Sequence, residues 1–387
     1  MVGRMDALTT PSNWQRVRLG DIAEIIGGGT PSTQITSFWN GSINWFTATE
    51  IGITKYVYKS QRTITPLGLK KSSAKLLPIG TILLTSRASI GDCAILKVVA
   101  TTNQDFQSLI PLEKVNNEFL YYLILTLKNK LLKLASGSIF LGVSPNKIKN
   151  LLIPLPPLNE QIAIANVLSD VDRYLYNLDA LILKKESVKK ALSFELLSQR
   201  KRLKGFNQAW QRVRLGDIAE IKRGVRITKN ELDVFGKYPV VSGGVGFLGY
   251  TNNFNRYENT ITIAQYGTAG YVNFQKNKFW ANDVCFCVYP NKDVIKNIFL
   301  YYFLKVNQNY LYEISNRNAT PYSISKDKIL DFEILLPPLN EQAAIANILS
   351  DVDSEIISLK NKKRQFENIK KALNHDLMSA KIRVLKK

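Results

Sequence analysis

The sequence predicts an α+β fold in which two globular units are joined by two long helices that pair as an antiparallel coiled coil. Three observations support this class: two sequence blocks that each occur twice, heptad spacing of apolar residues after one of them, and short apolar runs broken by turn residues between them. With 387 residues, 45% of them hydrophobic, the chain is long enough for two or three domains with their own cores.

The internal repeat sets the predicted boundaries. The block Trp14–Ile25 recurs unchanged as Trp210–Ile221, an offset of 196, and Pro156–Asp172 recurs with two changes as Pro337–Asp353, an offset of 181. The intervening inserts, of 130 and 115 residues, share little sequence. A frame used twice around unlike inserts predicts pseudo-twofold symmetry. The predicted segments are a globular unit at 1–155, a long helix within 156–209, a globular unit at 210–336 and a long helix within 337–387.

The second repeated block is predicted to begin each long helix. Two prolines precede Asn159, the expected N-cap, and Glu160 would lie near the positive helix end. Apolar residues then recur at alternating intervals of four and three, the spacing of a coiled coil, and each helix is expected to run roughly 40 residues, about 60 Å. Long core helices of one bundle are the alternative. The residues predicted to form the pairing seam are Ile164, Leu168, Val171, Leu175, Leu178, Ile182, Ile345, Leu349, Val352, Ile356, Leu359 and Phe366.

The inserts have the texture of strands and turns. Each insert also ends with a predicted helix that contains Phe-Leu-Tyr-Tyr, at Asn117–Leu134 and Ile295–Ile314. The predicted strands lie within Gly80–Thr85, Ala94–Val99, Tyr238–Val241, Thr260–Ala264 and Asp283–Val288.

The charge favours a polyanionic partner. Lys and Arg number 52 against 31 Asp and Glu, a net charge of +21. The first insert carries 14 basic and 5 acidic residues and the second 14 and 9, so both are basic. Binding to phosphates would release condensed counterions, which makes a nucleic acid the favoured partner, with RNA or a membrane surface as alternatives.

The sequence offers no recognisable catalytic motif. Gly244–Gly249 matches G-x-G-x-x-G, but the residues that follow favour a turn over the helix that a dinucleotide site needs. The chain lacks a phosphate-binding loop and the Pro-Pro-aromatic motif of an amino-methyltransferase, and its one histidine, His375, lies off the heptad seam. We therefore predict no catalytic residue, no metal and no cofactor. A self-contained DNA-modifying or DNA-cleaving enzyme and a coiled-coil protein-binding scaffold are the alternatives.

The cysteines and the chain start predict a cytoplasmic protein. Cys93, Cys285 and Cys287 lack zinc-type spacing, although the last two would point to one face of a strand. The first 14 residues lack an apolar signal-peptide core, and no uninterrupted apolar run has membrane-spanning length.

Several motifs carry a resemblance to a known family. They are the duplicated W-x-x-V-x-L-G-D-I-A-E-I and P-P-L-N-E-Q, the turn Gly28–Ser32, the segment Thr85–Gly91 and Thr102–Phe106. In these motifs and their order the chain resembles the specificity (S) subunit of type I restriction–modification systems. The resemblance implies two target-recognition domains, each reading one half of a bipartite double-stranded DNA site, with the paired helices setting the spacer.

The resemblance also implies partners. Two methyltransferase (modification) subunits would dock, and restriction subunits (the ATP-dependent translocase and endonuclease) would join later. These subunits would supply S-adenosylmethionine, ATP and the chemistry. Because the two inserts differ, the target is expected to be asymmetric.

Polar residues in the predicted loops are candidates for base reading, because Arg and Lys match guanine while Asn and Gln match adenine. The second unit departs from the first where it reads Gln265–Gly270 in place of the Arg87 segment. The candidates are Thr30, Ser32, Gln34, Arg87, Asn103 and Gln104 in the first unit, and Arg223, Arg226, Lys229, Gln265, Tyr266, Asn282 and Arg317 in the second.

Overall fold

The computed structural model describes residues 11–137, 141–318 and 320–384. The chain divides into two compact units: one ends at Leu178 and resumes at Lys362, and the other spans 179–361. Each long helix therefore contributes one part to each unit. Among the described residues, no helix has the length and apolar character needed to cross a membrane.

The first unit is built on a five-stranded sheet of order β2-β9-β6-β7-β4, with a three-stranded sheet β5-β3-β8 and a two-stranded ribbon β1-β10. Its strands are β1 Gln15–Arg18, β2 Ala23–Gly27, β3 Trp39–Phe46, β4 Tyr56–Val57, β5 Arg62–Ile64, β6 Ile82–Leu84, β7 Cys93–Leu96, β8 Ala100–Thr102, β9 Gln107–Pro111 and β10 Leu152–Leu155. Its helices are α1 Pro66–Lys70, α2 Asn117–Leu134, α3 Pro145–Lys149, the first part of α4 Leu158–Leu197 and the end of the second long helix from Lys362.

The second unit repeats this plan with a four-stranded sheet β12-β18-β15-β16, a three-stranded sheet β14-β13-β17 and a ribbon β11-β19. Its strands are β11 Gln211–Arg214, β12 Ala219–Arg223, β13 Tyr238–Val241, β14 Phe247–Thr251, β15 Thr260–Ala264, β16 Val272–Gln275, β17 Trp280–Ala281, β18 Cys285–Pro290 and β19 Glu333–Leu336. Its helices are the end of α4 from Asp179, α5 Leu215–Ile218, α6 Asn297–Val306, α7 Gln308–Glu313, α8 Lys326–Leu330 and the first part of α9 Leu339–Met378.

All five predicted strands are present: β13, β15 and α2 have the predicted bounds, β6 is shorter than predicted, β7 begins one residue before its predicted run, and β18 ends two residues after its own. Helix α2 forms because Asn116 caps its first turn, accepting a hydrogen bond from the Phe119 amide at 2.9 Å, and because its apolar face is long enough to cover the sheet. Phe119, Leu120 and Tyr122 are buried there in one cluster with Ile82 of β6. This cluster is the core of the first unit.

The prediction of one helix over Ile295–Ile314 is wrong, because α6 ends at Val306 and α7 begins at Gln308. Asn307 lies between them, and its side-chain amide donates to the Phe303 carbonyl at 2.8 Å. Asparagine offers the backbone this local bond in place of continued helix, which breaks the element.

The repeated blocks close each insert into a loop. The first block forms β1, which pairs antiparallel with β10, the strand directly before the second block. In the second unit β11 pairs with β19 in the same way, with Gln211 opposite Leu336. Each insert therefore starts and finishes at its own two-stranded ribbon.

The long helices have the predicted length, since α4 and α9 each contain 40 residues. Asn159 is not the N-cap, because α4 begins at Leu158 and the Pro157 carbonyl accepts from the Glu160 and Gln161 amides at 2.9 and 3.0 Å. The two prolines hold the chain extended and the second one supplies the first helical acceptor, which starts the helix earlier than predicted.

Contacts between the long helices confirm their antiparallel pairing within each unit: two ion pairs in the second, and in the first a ring contact together with the ion pair between Lys370 and Asp172. In the second unit the Lys185 ammonium lies 2.7 Å from the Glu355 carboxylate, and the Lys360 ammonium lies 2.6 Å from the Glu186 carboxylate. In the first unit the rings of Tyr174 and Phe366 lie 4.6 Å apart. Lys185 follows Ile182 by three residues and so continues the heptad spacing as a polar residue, and its ion pair across the helices is what polar seam residues use to fix register.

The predicted seam residues are buried or half-buried. Ile164 and Leu168 lie in the core cluster of the first unit, and Ile345 and Leu349 lie in that of the second. The start of each heptad stripe therefore faces a globular core, and the part each residue plays in helix pairing stays a prediction.

A buried carboxylate ties the repeated blocks together in the first unit. Glu160, 2% exposed, accepts from the Trp14 indole at 3.1 Å and from the Arg383 Nε at 2.6 Å. Trp14 opens the first block, Glu160 begins α4, and Arg383 follows α9. One carboxylate therefore joins three separate parts of the chain.

The second unit repeats this node. Glu341, 0% exposed, accepts from the Trp210 indole at 3.0 Å and from Arg202 at 2.6 Å. Arg202 precedes Arg383 by the same 181 residues that separate the two glutamates. The repeat thus extends past the end of each helix, to an arginine that the sequence comparison did not single out.

A second repeated node anchors the Phe-Leu-Tyr-Tyr helices. Tyr302 donates its hydroxyl to Asp353 at 2.7 Å, and the Lys189 ammonium lies 2.5 Å from the same carboxylate. Burial and the neighbouring carboxylate raise the pKa of Tyr302, which keeps the hydroxyl a neutral donor. In the first unit Tyr122 and Lys370 hold Asp172 in the same arrangement.

Candidate nucleic-acid interface

In the first unit, a close approach between two backbone segments positions the candidate loop. After β2, the Gly29 amide donates to the Thr102 carbonyl at 2.8 Å, and a Cβ on Gly28 would lie 2.0 Å from the Asn103 carbonyl oxygen. Only glycine fits at such a distance. The approach brings Thr30 beside Gln104, whose side-chain oxygen accepts a hydrogen bond from the Thr30 hydroxyl, and both residues are exposed.

The second unit makes the same approach with different side chains. A Cβ on Gly224 would lie 2.1 Å from the Asn282 carbonyl oxygen, and the Val225 amide donates to the Ala281 carbonyl at 2.8 Å. Gly28 and Gly224 are 196 residues apart, which is the offset of the first repeated block. Exposed Arg226 follows this glycine where the first unit has Thr30.

Both candidate asparagines use their side chains inside the protein. Asn103 is 8% exposed and its amide donates to the Asp105 carboxylate at 2.8 Å. Asn282 is also 8% exposed; its side-chain oxygen accepts from the Asp283 amide at 2.9 Å and its amide donates to the Ser242 hydroxyl at 3.2 Å. These contacts give both side chains a role in holding the loops.

Arg87 extends from a tight turn on the same unit as Thr30. The Thr85 hydroxyl closes this turn by donating to the Ser89 carbonyl at 2.6 Å, and Ala88 takes a left-handed conformation at φ 54°. The Arg87 backbone pairs with Gly142. Its side chain is exposed, so the turn presents a guanidinium to solvent.

Tyr266 occupies the place of Arg87 in the second unit. Its backbone pairs with Ser323, as that of Arg87 pairs with Gly142, and the neighbouring Gly267 has φ +77°. Gln265 and Tyr266 are half-buried. The shared turn therefore presents a cation in one unit and a phenol in the other.

Arg317 lies on an adjoining loop of the second unit. Its guanidinium lies 5.2 Å from the ring centroids of both Tyr312 and Tyr322, and its Nε donates to the Tyr312 carbonyl at 3.0 Å. The two rings limit the rotamers of this arginine while leaving it exposed.

The remaining candidates are exposed, and Arg223 is the last residue of β12. The Ser32 carbonyl accepts from the Trp39 indole at 3.0 Å. The Arg223 guanidinium donates to the Asp283 carbonyl. Gln34, Arg226 and Lys229 are exposed as well.

Two arginines near these loops were not among the candidates predicted from the sequence. The guanidinium of Arg62 lies 3.7 Å from the ring centroid of Trp39, stacked and exposed. Arg256 donates to the Arg223 carbonyl at 2.8 Å and so braces that candidate. No local motif surrounds either arginine, so only the pairing of distant strands reveals them.

The two cysteines of β18 lie behind the second candidate surface. Cys285 and Cys287 are buried on one face of β18, as predicted. The hydrogen bond from Cys285 lowers the pKa of the Cys287 thiol, and the charge of Arg256 lowers it further. Among the residues that the structure describes, no group of three His, Cys, Asp or Glu side chains is arranged to hold a metal.

A family model now identifies the chain. The model for the type I restriction modification DNA specificity domain matches twice, at residues 11–185 and 207–368. The chain belongs to this family. The two matches follow the internal repeat, and they confirm that the specificity domain occurs twice in one chain.

Sequence relatives carry the same family name. The chain is 35% identical over 238 residues to the type I restriction enzyme MjaIX specificity subunit of Methanocaldococcus jannaschii, covering 57% of this chain and 55% of that one. It is 36% identical to the EcoR124I/EcoR124II specificity subunit of Escherichia coli over 40% of each chain. The chain thus spans about half the length of these two relatives. Over 97% of the chain and 95% of the relative it is 28% identical to the putative MjaX specificity subunit of Methanocaldococcus jannaschii.

Solved structures share the fold. The S subunit of a type I restriction–modification system from M. genitalium matches with a TM-score of 0.66 at 21% identity, covering 96% of this chain and 97% of that one. The HsdS subunit from Thermoanaerobacter tengcongensis matches with a TM-score of 0.56 at 18% identity, covering 96% and 98%. The predicted α+β specificity-subunit fold with two long helices is confirmed.

Proposed function

We propose that this chain is the non-catalytic DNA sequence-recognition subunit of a type I restriction–modification complex. Each globular unit reads one half of an asymmetric bipartite site, and the paired helices set the unspecified spacer between the halves. In this assignment residues 1–155 and 210–336 are the target-recognition domains, and residues 156–209 and 337–387 are the helical segments.

One observation carries the proposal: the same loop framework presents different side chains in the two units. The glycine approach is followed by Thr30 in one and Arg226 in the other, and the adjoining turn carries Arg87 in one and Tyr266 in the other. A shared framework with unlike exposed groups suits two readers of two different short sequences, since base edges are distinguished by donor and acceptor pattern.

The candidates divide into base readers and positioning residues. Exposed Thr30, Gln34, Arg87 and Gln104 are proposed to contact bases or phosphates of the first half-site. Asn103 is proposed to hold their loop, because its amide already bonds within the protein. Ser32 is proposed to contact DNA beside Gln34.

The second unit divides in the same way. Arg226, Lys229, Tyr266 and Arg317 are proposed to contact the second half-site. Gln265 lies beside Tyr266 and is half-buried. Positioning is proposed for Asn282, and for Arg223 through its bond to the Asp283 carbonyl.

The partners follow from the same proposal. Double-stranded DNA is the ligand, two methyltransferase subunits dock on the chain, and restriction subunits join that complex in the cytoplasm. S-adenosylmethionine and ATP chemistry would belong to those subunits.

A binding series in rising salt tests the proposal. The logarithm of the binding constant should fall linearly with that of salt, with a slope of roughly −0.9 for each phosphate contacted. A target duplex should outcompete unrelated DNA. Purified chain that methylates or cleaves DNA without partners would instead support the self-contained enzyme, and salt-independent binding would contradict DNA recognition.

A further inference from the structure

The second unit holds two large apolar side chains out in solvent on one turn. Val234 is 89% exposed and Phe235 is 93% exposed. Adjacent apolar side chains with this exposure are unfavourable in water, so the turn is suited to a partner that covers them. In the first unit, Ile35 is 43% exposed beside the corresponding loop Thr30–Gln34.

The turn is fixed, so the exposure is built into the fold. The Asp233 carboxylate accepts from the Phe235 amide at 2.8 Å and from the Asn252 side chain at 2.7 Å. The Asp233 amide donates to the Tyr250 carbonyl at 2.8 Å. A Cβ on Gly236 would lie 2.5 Å from the Thr251 amide nitrogen, so glycine is required where the turn meets β14.

Charge and continuity indicate which partner covers the turn. The segment 222–237 contains five basic residues and two acidic ones. Both acids are engaged in turns, Asp233 as above and Glu231 as the acceptor from the Thr228 amide at 2.8 Å. A cleft of about 710 Å³ is lined by Ile227, which directly follows Arg226, by residues 230–235 and by Trp280. The exposed pair therefore adjoins the proposed base-reading cations.

We infer that Phe235, supported by Val234, is an apolar wedge that inserts against a base step of duplex DNA and unstacks it at the second half-site. Apolar side chains on a rigid basic surface are used in this way, because unstacking one step bends the duplex onto more of the protein. The inference rests on the proposed function. It assigns unstacking to the second half-site alone, since the first unit has no comparable pair at its described loop.

The wedge is tested with the complex of the full chain and its methyltransferase subunits. The probe is a target duplex with 2-aminopurine placed in turn at each adenine of both half-sites and their flanks except the adenines that are methylated, because methyltransferase subunits flip those bases out of the duplex. The natural protein should raise the fluorescence severalfold at a position in or beside the second half-site, and at no position of the first. Phe235→Ser should return that signal to the level of free duplex and weaken binding about tenfold at fixed salt.

Three comparisons separate a wedge from a general contact. The dependence of binding on salt should keep its slope in Phe235→Ser, because no phosphate contact is lost. Phe235→Leu should keep most of the signal, since leucine is also an apolar wedge. Ile53→Ala, which removes a side chain 85% exposed in the first unit, should leave signal and affinity unchanged.

Unchanged fluorescence and affinity in Phe235→Ser would overturn the inference. Loss of methyltransferase binding with DNA binding intact would also overturn it, because the turn would then be a protein-docking surface. If the natural complex does not distinguish its target from unrelated DNA, the proposed function itself fails, and that result is separate from both.

Discussion

At the scale of single residues, the most constrained group is a buried carboxylate. Glu341 has no exposed surface, and its charge is balanced by Arg202 and hydrogen-bonded by the Trp210 indole. Such a pair is not by itself a source of stability, because desolvation opposes the Coulomb attraction. Removing one partner leaves an unpaired buried charge, which is costly.

Substituting Glu341 with alanine should lower the free energy of unfolding by about 3–5 kcal/mol, because Arg202 would be left partly buried without its carboxylate. Denaturant unfolding followed by circular dichroism measures this change. Glu333→Ala is the matched control, since the exposed pair Arg212–Glu333 should contribute less than about 1 kcal/mol. Equal losses in the two variants would contradict the role of the node.

Arg87→Ala should relax the sequence preference at one base pair of the first half-site, costing about 1–3 kcal/mol of discrimination. Competition binding with duplexes varied at each position of both half-sites measures it. The second half-site should be read as before. Arg173→Ala, which removes an exposed arginine on α4 paired with Asp170, is the control and should change neither. Uniform weakening across all sequences would make Arg87 a phosphate contact instead.

At the scale of elements, repeated polar contacts fix the long helices to the rest of each unit. Asp353 on α9 accepts from Tyr302 on α6 and pairs with Lys189 on α4. One carboxylate therefore sets the register between three helices. The equivalent trio in the first unit uses residues 181 positions away on the two long helices.

Asp353→Ala should lower the free energy of unfolding by about 1.5–3 kcal/mol, because it removes a charge-assisted hydrogen bond and a partly screened ion pair. Thermal and denaturant unfolding measure it. Asp351→Ala, an exposed position two residues earlier, should cost less than about 0.5 kcal/mol. A loss at Asp351 as large as that at Asp353 would rule out the trio as the cause.

Elements with strong periodicity were predictable from the sequence. The heptad pattern predicted both 40-residue helices, and the apolar face of α2 predicted its bounds. The break at Asn307 was not predictable, because it depends on a side-chain bond to Phe303 that competes with the helix. Local pattern does not reveal which competing bond prevails.

Of the candidate surface, only its location in loops was predictable from the sequence. Composition favoured Asn103 and Asn282 as adenine readers, yet Asn103 bonds to Asp105 two residues along the chain, and Asn282 bonds to Ser242, which lies 40 residues away in the sequence. No sequence pattern indicated that Phe235 is exposed, because a short apolar pair in a loop has no periodicity. Its exposure emerges only from the surrounding turn.

At the scale of the whole molecule, the frame and the inserts are separable. Each insert starts and ends at its own ribbon, β1-β10 or β11-β19, and the repeated blocks beside the ribbons are nearly identical. The frame should therefore accept either insert. In the proposed function, the inserts therefore determine which half-sites are read, and the frame determines the spacing between them.

Replacing residues 26–155 with a copy of residues 222–336 should convert the target into a palindrome of the second half-site, since both units would then read the same bases. Mapping the sites methylated by the reconstituted complex measures this change. Retention of the first half-site word by the variant would contradict insert-borne specificity. A folded variant is verified beforehand by cooperative thermal unfolding.

Single-molecule methylation sequencing of DNA modified by the natural chain with its methyltransferase subunits tests the central claim most directly. Two unlike readers in one molecule predict two different short words separated by a spacer of constant length and free sequence. A palindromic or a single uninterrupted methylated word would contradict it.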